Sequence, residues 1–124
     1  MTARNDVLEN GLIDWVPLER IHWYVSNEHK GQPSATIQSK VVDLITELVA
    51  EGLFVLGDTT GPGGTFAPWN VPLSAALARI DDVYVKNFDD ANTWGWAVWL
   101  DLTDRGRPVA EKLNAEWLAS QSDS

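Results

Sequence analysis

The sequence contains no cysteine. Disulfides and thiolate zinc sites are therefore excluded, and the chain fits a reducing compartment. Histidine is scarce as well, with only His22 and His29. A zinc site needs three or four ligands at fixed spacing, so neither a metal nor any other cofactor is expected. No apolar run approaches the ~18 residues that a membrane span needs. The opening residues Met1-Thr2-Ala3-Arg4-Asn5-Asp6 lack a basic-then-apolar leader. The expectation is a cytoplasmic protein that does not enter a membrane. Positive charge is also in short supply: 9 basic against 18 acidic side chains, a net charge of −9. Nucleic-acid binders gather cations to displace phosphate counterions. This chain does the reverse, so nucleic acid is not the expected partner.

What is present fits one domain, 1–124. Apolar residues make up 44% and charged residues 22%, enough for a core without covalent staples. The 7 tryptophans stand out. Tryptophan is enriched at interface hot spots, although most such residues belong in the core.

Residues 1–13 are polar apart from Leu12 and Ile13, and read as a partly ordered arm. Asp14 is placed to cap a helix starting near Trp15, with Pro17 in its first turn. Gly31 and Pro33 mark a loop. Ile37, Val41, Leu44, Ile45, Leu48 and Val49 share one face at helical spacing. Ser34 or Thr36 is the candidate cap and Gly52 the stop. Leu53–Leu56 reads as a strand, Gly61–Gly64 as a turn and Thr65–Ala67 as a brief extended piece. A third helix is predicted after Asn70, with Leu73, Ala76, Leu77, Ile80 and Tyr84 inward. Asn87–Thr93 is a predicted loop. Period-two alternation predicts a strand over Thr93–Leu102, with Trp94, Trp96, Val98, Leu100 and Leu102 on one face. A final helix follows Thr103, and 120–124 reads as a polar tail.

No constellation carries catalysis. The serines lack a Gly-x-Ser-x-Gly elbow. Gly57–Gly64 lacks the lysine and hydroxyl that complete a phosphate loop, and Asp58 would repel phosphate. No calcium loop is present. The doublets Asp81-Asp82 and Asp89-Asp90 do not place both members on one helix face, so they read as an acidic edge. The chain is not expected to be an enzyme, and no catalytic residue is assigned.

Two stretches carry a family resemblance. Glu51-Gly52-Leu53-Phe54-Val55-Leu56 follows a helix, and Trp99-Leu-Asp-Leu-Thr-Asp-Arg-Gly-Arg-Pro-Val-Ala-Glu-Lys-Leu113 leads into one. Together they resemble the winged-helix proteins. There a helix steps through glycine-leucine into the first wing strand, and the second ends in leucine-threonine-x-x-glycine-arginine. The resemblance implies an α+β fold with helices packed on a small antiparallel sheet. Residues 57–93 would then be an insertion, containing a helix, between the two wing strands. The family's DNA readers carry basic and amide residues on the recognition helix. Here that helix shows Asp43, Glu47 and Glu51 against Lys40. Asp14-Trp15-Val16 and Ile21-His22-Trp23-Tyr24-Val25 are also similar to small actinobacterial proteins of unassigned role.

Charge, size and the elaborated wing together point to a non-catalytic domain that binds a basic protein partner. One concrete form is an immunity protein, an antidote to a basic toxin. The candidate protein-binding residues are Trp69, Asp81, Asp82, Asp89, Asp90 and Trp94. One alternative is a winged-helix transcription regulator, with Arg4, Arg20, Lys30, Lys40 and Arg105 or Arg107 gathered on one face of a homodimer. Another is a small-ligand binder with an aromatic pocket under the inserted helix.

Overall fold

Thr2 opens the first helix by accepting a hydrogen bond from the Asn5 amide at 3.2 Å. In the computed structural model, which describes residues 2–60 and 64–122, this helix (α1) runs Ala3–Gly11. The expected arm is thus helical. Ala3, Val7 and Leu8 are buried, and α1 packs on the second and last helices of the chain. Spaced four and five apart, these three residues make a narrow stripe that the surrounding polar residues mask.

The expected helix at Trp15 begins later. Proline disfavours α backbone at the residue before it. Val16–Pro17 accordingly form a short strand (β1), and α2 runs Leu18–Glu28 from a Pro17 N-cap. Asp14 accepts from the Trp15 amide instead of capping the helix. α3 spans Ser34–Ala50 and buries Ile37, Val41, Ile45 and Leu48, as the spacing predicts. Its N-cap is Pro33, and neither Ser34 nor Thr36 supplies a side-chain cap. Gly52 ends the helix with φ +76°, a left-handed backbone that glycine adopts without penalty.

The chain then enters β2 (Phe54–Thr59) and β3 (Phe66–Pro68). Part of the predicted Gly61–Gly64 turn, Gly61–Gly63, lies outside the described residues. Asn70 has φ +52°, and Pro72, not Asn70, precedes α4 (Leu73–Ile80). A π-helical turn, Asp81–Val85, continues α4. Ala76, Ile80 and Tyr84 stay inward through both pieces.

The predicted strand at Thr93–Leu102 is shorter than its alternation suggested. Ala91–Trp94 form a helical turn (α5), and only Trp99–Leu102 is strand (β4). The amides of Trp94 and Gly95 bond to the carbonyls of Asp90 and Ala91, which uses locally the groups a sheet would need. α6 runs Gly106–Ser122, so the expected polar tail is helical as far as it is described.

Among the described residues, six helices accompany one antiparallel sheet in the order β1-β4-β2-β3; α1, α2 and α3 pack on the sheet, and α6 packs on α1. The fold class is α+β. β2 and β4 pair with Phe54 opposite Leu102 and Leu56 opposite Leu100, and all four side chains are buried. Val55 and Asp101, also opposite each other, point to the other face. No helix among the described residues is long and apolar enough to cross a membrane.

Candidate functional site

Trp94 is not on the surface. Its relative exposure is 4%, and its indole N–H donates to the Phe88 carbonyl at 2.7 Å. It stacks on Phe88 with ring centroids 5.5 Å apart and meets Tyr84 at 4.7 Å. His22 completes this cluster from α2, 5.3 Å from the Trp94 ring. The Tyr84 hydroxyl and His22 Nδ1 share a hydrogen bond of 2.5 Å, in which the hydroxyl is the donor when the neutral imidazole carries its proton on Nε2. Burial pushes the His22 pKa down, against a smaller opposing pull from Glu19. Burial likewise pushes the Tyr84 hydroxyl up. Gln38, the buried polar side chain of α3, donates to the Tyr84 carbonyl. These rings fill the space beneath the π turn, while a cleft of about 240 Å³ remains beside Trp69, lined also by Leu73 and Ala76 of α4.

The acidic edge is exposed, but part of it is neutralised. The wide π turn brings Lys86 Nζ within 3.5 Å of Asp81 and 3.2 Å of Asp82. The hydrogen bond and charge of Asp82, with those of Asp81, push the Lys86 pKa up. Asp89 and Asp90 lie on the adjoining loop beside Phe88. Trp69 sits elsewhere, under the Arg79 guanidinium (4.3 Å to the ring centroid), and Arg79 also approaches Asp58 at 3.7 Å. The Trp69 indole nitrogen is buried and meets no acceptor among the described residues. The six predicted residues therefore do not form one surface: Trp94 is core, Trp69 is half-buried, and the four aspartates line a solvated edge.

The more site-like surface lies on the other side of the helices. A groove of about 410 Å³ opens between α1, α2 and α6. Leu12, Ile13, Tyr24 and Trp117 supply apolar surface, and Asp6 and Glu9 supply charge. Ile13 is 87% exposed and Trp117 43%. Trp23, also exposed, packs against Tyr24 with centroids 5.5 Å apart and so extends the patch. The Tyr24 hydroxyl donates to Asn10 at 3.2 Å, which fixes the ring against α1. Burial holds the Asp6 carboxyl above its usual range. A second aromatic strip follows the outer sheet surface, where Trp96 (54% exposed) lies 5.7 Å from Trp99.

Four of the nine cations are engaged. Arg4 contacts Glu47 at 2.9 Å and Glu51 at 2.8 Å. Lys86 and Arg79 are paired as above, and Arg20 lies 5.9 Å from the Trp23 ring centroid. The solvent face of α3 presents Asp43, Glu47 and Glu51. No group of three or more metal-ligating side chains is found among the described residues. Comparisons with protein-family models, curated proteins and solved structures return no significant match.

Sequence reasoning missed the groove because it read residues 1–13 as an arm. Three signals were available: Thr2 as a cap, the Ala3–Val7–Leu8 stripe, and the pair Leu12-Ile13, too apolar for a free arm.

Proposed function

We propose that this chain is a recognition domain that binds a basic protein through the groove between α1, α2 and α6. The observation that carries the reading is the pairing of exposed Ile13 and Trp117 with Asp6 and Glu9 in one cleft. Contiguous exposed apolar patches with polar margins mark interaction sites. A net charge of −9 adds a field that attracts a cationic partner. An antidote to a basic toxin is one form such a domain takes.

We read the fold as a modified winged helix. What supports this is that β2 and β4, the expected wing strands, pair directly, while β3, α4, the π turn and α5 fall between them in sequence. β3 lies against β2 and extends the sheet. The acidic outer face of α3 weighs against the regulator alternative, because a recognition helix must approach phosphates.

The test is a tagged capture from the source cell at near-physiological salt, counting both proteins and nucleic acids. Wild type and the double variant Ile13→Ser/Trp117→Ala are run side by side. The reading predicts one basic protein that the variant loses. A defined DNA recovered by both, with no protein partner, overturns it.

A further inference from the structure

We infer that the α1–α2–α6 groove takes a basic amphipathic helix of its partner. This rests on the recognition reading above and specifies what enters the site. The groove walls are helices, whose interior amides and carbonyls already bond to one another. An extended peptide laid there would leave its own N–H and C=O groups without partners, whereas a helix arrives with them satisfied. A helix presents apolar side chains at i, i+3, i+4 and i+7, which suits an apolar groove walled by helices. Leu12, Ile13, Tyr24 and Trp117 supply the matching surface.

Charge then fixes the flanks of the guest. Asp6 and Glu9 stand one helical turn apart on α1, and none of the groove's lining residues is cationic. Lysine or arginine flanking the apolar stripe would meet both carboxylates. Burial of the Asp6 carboxyl disfavours its charged form, so an arriving cation relieves a cost already present in the free protein. Asn10 and Asn114 offer amides for polar side chains at the margin. A second copy of this chain fits poorly, because a two-fold interface would set Asp6 and Glu9 near their own equivalents on a protein of charge −9.

The probe is a synthetic leucine–lysine peptide with leucines at i, i+3, i+4 and i+7, titrated into the whole protein by calorimetry. A second peptide of the same length and net charge carries central prolines that block the helix. The helix-competent peptide is expected to bind at least about tenfold tighter. Trp117→Ala should weaken it about tenfold, as loss of a central aromatic anchor does. Asp6→Asn/Glu9→Gln should also weaken it about tenfold. Asp43→Asn/Asp104→Asn, which changes net charge equally but lies on other surfaces, should leave it unchanged. Urea midpoints establish that each variant is folded. Equal binding of both peptides, equal loss in both charge pairs, or a wild-type protein that dimerises through this face overturns the proposal. If the captured basic protein is still lost by Ile13→Ser/Trp117→Ala while the peptide fails, recognition stands and the helical guest falls.

Discussion

Thr103 Oγ1 donates to the Gly52 carbonyl at 2.6 Å and accepts from the Gly106 amide at 2.9 Å. One hydroxyl thus closes the end of α3 and opens α6. Thr103→Val removes an N-cap worth ~1 kcal/mol and strands a carbonyl at a cost of ~1 kcal/mol more. Urea unfolding should show a loss of about 2 kcal/mol with an unchanged slope. Thr103→Ser should recover most of it.

Two glycines beside this hydroxyl should differ. Gly52 holds φ +76°, so Gly52→Ala should cost about 1–2 kcal/mol from backbone strain. At Gly106 a Cβ would collide with the Leu53 carbonyl and press on Leu102. The Gly106→Ala variant needs a backbone shift and should be the less stable of the two, as thermal melts would show.

His22 should make stability pH-dependent. Its folded pKa lies below the ordinary value of 6.5 because burial opposes the imidazolium. The unfolded chain therefore binds more protons in this window, and stability rises with pH. Stability should fall as pH drops from above 6.5 toward the folded pKa, then level off with respect to this group. His22→Asn should remove that slope. Equal slopes in both proteins would contradict the half-buried, neutral imidazole.

The tryptophans should separate into two classes. Trp94→Ala empties a packed aromatic site and should cost about 3–5 kcal/mol. Trp117→Ala should cost no more than about 1 kcal/mol, because the ring is partly exposed. Chemical denaturation of both distinguishes a core residue from a surface anchor.

Trp69→Phe should be unusually tolerated. It deletes a buried indole N–H that meets no acceptor among the described residues. The relief of ~1 kcal/mol or more from an unmade hydrogen bond offsets the lost volume. A urea midpoint within error of wild type is the expected result, and a loss above about 3 kcal/mol would show that the nitrogen is satisfied.

The α+β class was legible because α3 and α4 carry long stripes and because Gly52 and Thr103 act locally as their residue types dictate. Val98, Leu100 and Leu102 also alternated as read, and all three are buried. The same alternation misled at Trp94 and Trp96. Period two ran backward past the strand into residues whose backbone groups bond to one another in α5 and the turn after it. The π turn left no local mark in the sequence, and its Tyr84 packs against His22 and Trp94, residues distant in the chain or beyond the next loop. The groove was illegible for a different reason. Its walls come from α1, α2 and α6, and no local pattern states that the first and last helices meet.

The most direct test of recognition through this groove is a heteronuclear NMR titration of the labelled protein with its captured basic partner. The account predicts shifts concentrated at residues 6–13, at Trp23 and Tyr24, and at Asn114 and Trp117, including the Trp117 indole. Shifts centred on 81–90 or on Trp96, with the Trp117 indole unmoved, would contradict it.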